Sequence, residues 1–357
     1  MSSTQQLPEH GQSIWLDNIT RTLLTSGTLA RYVDELSVTG LTSNPTILDK
    51  AIEGSDAYDE AIRASAASGE SLLFELWLDD LRAAAYLFHP TYERTSGMDG
   101  WVSVEVSPDL ADDAAMTVAE AVRLHAEAER PNLFIKIPGT PEGIKAIEET
   151  IFRGVPVNVT LLFSHHQYLA AAEAYLRGIE RRIAAGRDPD VRSVASLFVS
   201  RWDVAVADMV PPELRSRLGI AVATKTYAAY RDLLASERWQ RLHDAGAEPQ
   251  RLLWASTGTK DPAASDVLYV EALAAELTIN TMPDTTLLAF ADHGQVRGLL
   301  PDDGGDVDQT LDRFTQAGID LEALALRLQQ EGAAAFSASW AKLLDCIAGK
   351  QRRLAAA

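Results

Sequence analysis

The chain has 357 residues, 46% hydrophobic and 23% charged, which supports a large core and excludes global disorder. Its formal net charge of −19 argues against general binding to nucleic acid or to an anionic membrane, but leaves room for a phosphorylated small molecule in a locally positive pocket. Cys346 is the only cysteine, so no intrachain disulfide and no cysteine-based zinc site is available, and no apolar run approaches the ~20 residues that span a bilayer.

Met1–Gln12 is polar, has no apolar signal core and is expected to be disordered or irregular. A cytoplasmic protein is the corresponding expectation. Short β-rich runs then alternate with long Ala/Leu/Glu-rich segments of helical period. The expected strands are Ile14–Asn18, Leu41–Asn44, Val102–Val106, Phe134–Pro138, Val157–Leu161, Val194–Val199, Leu252–Ser256 and Leu277–Asn280. Helical patterns fall between them, among them Leu72–Leu87, Leu110–Arg130, Gly143–Phe152 and His165–Ala185. Ser164 and Gln167 form the spacing of a capping box, and Pro141-Glu142 opens the segment after Phe134–Pro138. Pro283–Ala291 reads as a short helix, Asp302–Asp308 as a solvated acidic loop, and Leu321–Leu344 as a terminal helix broken near Gly332.

Strands that alternate with helices pair in parallel through crossovers. Eight such units predict an α/β fold, a (β/α)8 barrel with additional helices, folded as a single domain over residues 13–350. The open doubly wound alternative lacks its Gly-x-Gly-x-x-Gly turn after the first strand.

Alternation along each strand sorts its side chains onto two faces. One face is apolar. The other groups Trp15 with Asp17, Ser103 with Glu105, Asn158 with Thr160, Ser196 with Phe198 and Ser200, and Trp254 with Ser256. Lys136 shares a face with Phe134 and Pro138. Burying an ammonium is costly unless it is paired or loses its proton, and a desolvated lysine is the usual nucleophile toward a carbonyl. An interior holding Asp17, Asn44, Glu105, Lys136, Asn158, Thr160 and Ser196 is too polar to serve packing alone, and the reacting residues of such barrels sit at the C-terminal strand ends. The seven histidines show neither His-x-His nor His-Glu-x-x-His, and no Gly-x-Ser-x-Gly or Gly-x-x-x-x-Gly-Lys run occurs, so metal-dependent hydrolase and nucleotide readings lack support.

The segments Trp15-Leu16-Asp17-Asn18, Thr42-Ser43-Asn44-Pro45-Thr46, Val104-Glu105-Val106, Phe134-Ile135-Lys136-Ile137-Pro138, Asn158-Val159-Thr160-Leu161-Leu162-Phe163-Ser164 and Ser196-Leu197-Phe198-Val199-Ser200-Arg201 resemble the transaldolase family in order and spacing over about residues 13–347. Length and acidity are similar to its longer actinobacterial and cyanobacterial branch. The resemblance implies a class I aldolase chemistry that needs no metal and no organic cofactor. A dihydroxyacetone unit passes from sedoheptulose 7-phosphate or fructose 6-phosphate to glyceraldehyde 3-phosphate or erythrose 4-phosphate, in the non-oxidative pentose phosphate pathway. It further implies a monomer or homodimer whose partners are sugar phosphates.

By the same resemblance Lys136 is the Schiff-base nucleophile, and Glu105 is the acid/base acting through a water held by Thr160. Asp17 exchanges the C4 hydroxyl proton, and Asn44 and Asn158 bind the hydroxyls of the three-carbon unit. Ser196 and Phe198 line the substrate, and Arg201 binds phosphate. A second phosphate-binding arginine is expected two residues after Ser256, but Gly258 stands there, and Lys260 is the proposed replacement. Phe198 replaces the tyrosine of the relatives that release free dihydroxyacetone, which favours transfer. Fructose 6-phosphate aldolase and a non-catalytic sugar-phosphate-binding barrel are the alternatives.

Overall fold

The computed structural model describes residues 2–356. Its eight strands are β1 Gln12–Leu16, β2 Val38–Leu41, β3 Val102–Glu105, β4 Leu133–Pro138, β5 Val157–Leu162, β6 Ser193–Phe198, β7 Arg251–Ala255 and β8 Thr278–Met282. They form one sheet in the order β2-β1-β8-β7-β6-β5-β4-β3, and each paired neighbour runs parallel. The sheet curls into a nearly closed barrel. Two backbone hydrogen bonds bridge the seam, from Gly100 N to Thr39 O at 2.8 Å and from Leu41 N to Trp101 O at 2.9 Å. Helices connect successive strands, so the expected (β/α)8 architecture is present.

The inside of the barrel has three levels. An apolar plug fills the middle, made by Trp15, Trp101, Phe134, Val194, Leu253, Ala255 and Ile279. Gly40 of β2 faces this plug because a Cβ there would stand 2.7 Å from Trp15 Cε2 and 2.8 Å from Trp101 O. Below it, at the N-terminal strand ends, Arg251 is buried. It donates to Ser13 Oγ at 2.6 Å, to Thr278 O at 2.8 Å and to Met98 O at 2.9 Å. Asp99 lies 3.8 Å from Arg251 and accepts from Trp15 Nε1 at 2.6 Å and from the Ser13 hydroxyl. Above the plug lie the polar strand ends that line the mouth.

Several local expectations change. Residues 3–9, expected to be irregular, form the helix Ser3–Glu9, anchored by the buried Leu7. The β7 alternation is the reverse of that expected. Leu253 and Ala255 point inward, while Trp254 points outward and donates its indole N–H to Leu273 O at 2.9 Å. The strand ends at Ala255, and Ser256 takes a positive φ of 58°, which turns its side chain back to the mouth. The segment after β3 is not one helix from Leu110. A 3-10 turn, Pro108–Leu110, comes first, and Asp113 then caps the helix Ala114–Ala128. Ser164 caps the helix His165–Ala184 as expected, but Gln167 accepts from Phe163 N instead of closing the box on Ser164. The acidic loop runs directly into a further helix, Val307–Gln316.

The terminal helix Leu321–Ala355 is continuous through Gly332. It crosses the mouth of the barrel. Gln329 donates to the carbonyls of Gly139 at 3.0 Å and Leu161 at 2.9 Å on one side. Ser339 meets Thr46 at 3.0 Å and Lys342 meets Asp49 at 2.5 Å on the other.

Candidate active site

A cavity of about 630 Å³ opens at the C-terminal strand ends and is roofed by the terminal helix. Parallel pairing sets Glu105 of β3 beside Lys136 of β4, and Lys136 beside Asn158 of β5. Lys136 Nζ lies 2.8 Å from Glu105 Oε1 and donates to Ser43 O at 3.1 Å. The other Glu105 oxygen accepts from the Ser43 hydroxyl. The pair is largely withdrawn from solvent, with side-chain exposures of 13% for Lys136 and 5% for Glu105. Direct contact of this kind allows a proton to pass between amine and carboxylate without rearrangement.

Asp17 follows the end of β1, where its backbone N–H bonds to Met282 O at 2.9 Å. Its carboxylate accepts from Thr42 Oγ1 at 3.2 Å, and Thr42 meets Thr281 Oγ1 at 2.9 Å. Burial pushes the Asp17 carboxyl above the ordinary carboxylate range. Lys136 and the Thr42 hydroxyl pull it down, and Glu105 and Asp284 add to the rise. A carboxylate of raised proton affinity suits the acceptance and return of one proton.

Asn44 caps the helix Pro45–Gly54 by accepting Thr46 N at 3.0 Å, and it lines the cavity together with Thr160, Ser196 and Phe198. Asn158 does not line it. Its amide lies beneath the floor, donating to Ser103 Oγ at 3.1 Å and accepting from Ser196 Oγ at 2.7 Å. It therefore fixes the Ser196 hydroxyl in place.

Two strands on from the lysine, Arg201 opens the helix Ser200–Val206 after β6. Its guanidinium lies 5.2 Å from the centre of the Phe198 ring and makes no hydrogen bond or ion pair among the described residues. Burial lowers its proton affinity, and Glu331 on the terminal helix acts in the opposite direction. Ser200 and Ser256 share a hydrogen bond of 2.8 Å beside it. Lys260 is exposed at the rim, and its Nζ would stand 3.7 Å from a Cβ at Gly258, so the ammonium folds back over that glycine. Ser43, Thr42, Thr281 and the roof residues Glu331 and Gly332 also line the cavity, though none of them is an expected site residue. Ser43 was within reach, since it stands between the expected strand Leu41–Asn44 and Pro45. The roof residues carried no signal, because nothing in a helical pattern says which strand ends it crosses.

The fold and this site define a (β/α)8 barrel whose mouth holds a lysine in contact with one carboxylate, a second carboxylate of raised proton affinity and two cations, Arg201 and Lys260. Comparison with known proteins narrows the class. Residues 14–347 match the family described as transaldolase/fructose-6-phosphate aldolase. A transaldolase of Saccharopolyspora erythraea is 44% identical over 356 residues, covering 97% of this chain and 97% of its own. One of Thermobifida fusca is 45% identical, covering 97% of this chain and 98% of its own. Transaldolase 2 of Streptomyces avermitilis is 42% identical, covering 98% of each. The chain belongs to the transaldolase/fructose-6-phosphate aldolase family.

Proposed function

We propose that this protein is a transaldolase that carries a dihydroxyacetone unit from a ketose phosphate to an aldose phosphate through a Schiff base on Lys136. The observation that carries the reading is the Lys136–Glu105 contact of 2.8 Å in a cavity that also presents Arg201 and Lys260. The lysine amine attacks the C2 carbonyl of sedoheptulose 7-phosphate or fructose 6-phosphate. Glu105 takes the amine proton and returns one to the departing hydroxyl, so that water leaves and an iminium remains. Thr160, on the cavity wall, would hold that water. Asp17 takes the C4 hydroxyl proton, the C3–C4 bond breaks, and its electron pair moves into an enamine on Lys136 as the aldose phosphate departs.

In the reverse direction the enamine attacks C1 of glyceraldehyde 3-phosphate or erythrose 4-phosphate, and Asp17 returns the proton. Hydrolysis then frees the lysine. Asn44 and Ser196 meet the hydroxyls of the three-carbon unit, and Arg201 and Lys260 hold the phosphate. Phe198 brings no hydroxyl to the cavity, which favours holding the enamine for an aldehyde over release of free dihydroxyacetone. The same reading places the reaction in the cytoplasm, in the non-oxidative pentose phosphate pathway.

Among the described residues no helix is long and apolar enough to cross a membrane. The test is borohydride reduction in the presence of fructose 6-phosphate, followed by peptide mass spectrometry. A reduced three-carbon adduct on Lys136 is expected. A folded protein that binds the ketose and gives no adduct refutes the reading, and turnover without added aldehyde refutes transfer in favour of simple cleavage.

A further inference from the structure

Gly332 lies buried inside the terminal helix, where glycine is among the least favoured residues. Its backbone is not left-handed, so conformational freedom does not account for it. Space does. A Cβ at this position would stand 3.0 Å from Leu161 Cδ2 and 3.2 Å from Arg201 Nη1. These two neighbours differ in how far they can yield. Leu161 sits at a positive φ of 59°, its carbonyl accepts from Gln329 at 2.9 Å, and its side chain packs in a buried cluster with Phe163. The Arg201 guanidinium stands 5.2 Å from the centre of the Phe198 ring and makes no hydrogen bond or ion pair among the described residues. A methyl group at 332 would therefore push on the arginine, which no polar contact holds in place.

We infer that Gly332 is a positioning residue for phosphate recognition, because the bare backbone of the terminal helix at this point sets where the Arg201 guanidinium stands. The inference rests on Arg201 being a phosphate ligand, as proposed above. It makes the roof of the site part of its specificity, since the helix that covers the mouth also fixes the reach of the anion-binding arm.

The test is Gly332→Ala, with inorganic phosphate as a competitive inhibitor and with dihydroxyacetone plus cyanoborohydride as a label for Lys136 that needs no phosphate. The inhibition constant for phosphate should rise on the order of ten-fold, while labelling slows by no more than about two-fold. In an Arg201→Lys background, where Nη1 is gone, Gly332→Ala should add less than about two-fold. If the single variant fails to fold, Gly332→Ala with Leu161→Ala removes the other contact, and the same change in phosphate inhibition must appear there. Equal loss in both readouts would reduce Gly332 to a structural role and overturn the inference. Unchanged phosphate inhibition in Gly332→Ala, with weakened inhibition in Arg201→Ala, overturns the inference alone. Unchanged inhibition in Arg201→Ala removes the phosphate reading and the inference with it.

Discussion

Replacing Lys136 by methionine tests the pair at the centre of the site, because the ammonium is the only cation within ion-pair distance of Glu105 among the described residues. Glu105 would keep the Ser43 hydroxyl and lose its charge partner, in a position only 5% exposed. Breaking a buried pair by removing one member costs about 3–5 kcal/mol. An unfolding entropy of about 2.1 cal/mol/K per residue amounts to roughly 0.75 kcal/mol/K over 357 residues. The melting midpoint of Lys136→Met should therefore fall by roughly 4–7 °C at neutral pH.

Adding Glu105→Gln replaces the stranded charge by a neutral amide that can still accept from Ser43. The double variant should recover most of the lost stability and remain inactive. Calorimetry of wild type, both single variants and the double variant at neutral pH measures the cycle. The reasoning fails if Lys136→Met melts with wild type at neutral pH. It also fails if the double variant is no more stable than the single one.

Asp17→Asn should lower transfer by at least about 10²-fold. Because burial raises the Asp17 carboxyl above its ordinary 3.8, the ionised form costs the native state stability above the native pKa, and that cost is gone below 3.8. Asparagine should therefore melt higher than wild type at neutral pH, with the advantage lost in acid, as parallel melts would show. Lys260→Ala should raise KM for donor and acceptor phosphates alike, by roughly three- to ten-fold and more strongly at low salt. An unchanged KM for fructose 6-phosphate would leave the phosphate to Arg201. Arg251→Met strands Asp99 at the opposite end of the barrel, so it should cost about 3–5 kcal/mol in a denaturant titration while kcat per folded molecule stays the same.

The barrel was legible because a period-2 run and a 3.6-period run leave different marks, and eight repeats of the pair admit few architectures. Lys136, Glu105 and Asp17 were legible for a related reason. One charge on an apolar strand can be a strand-end side chain that reaches solvent, and it is the set of polar residues on the same face of the other strands that singles these three out; the structure has all three at the cavity. The failures are local and share a cause. Ser256 at φ 58° and Leu161 at φ 59° break the alternation at strand ends, and no residue type announces a positive φ in a serine or leucine. Trp254 was read as inward because Ser256 was counted in the same strand. Gly332 marks an expected helix break, but the helix runs through it, and a Cβ there would meet Leu161 and Arg201, 171 and 131 positions away in the chain, which pattern reading along the sequence does not reach.

The placement of the two halves of the site explains why a single anion arm should serve both substrates. Glu105 and Lys136 stand on β3 and β4, while Arg201 and Lys260 follow β6 and β7, so the ring of strands holds the lysine–carboxylate pair and the two rim cations at different points around its mouth. In the proposed reaction a ketose phosphate lies between them, with its C2 at the lysine and its phosphate at the rim. When the C3–C4 bond breaks, the fragment left at the rim is the aldose phosphate, and the three-carbon unit stays on the lysine. The incoming aldose phosphate has the same terminal group and must bring its aldehyde to the same carbon, so it needs the same anchor. The terminal helix spans both halves, with Gly332 against Arg201 and Ser339 against Thr46, near the Asn44 end. In the proposed reaction, chain lengths that bridge the lysine and the rim react, and a phosphate displaced from the rim loses the orientation of the aldehyde together with its own binding.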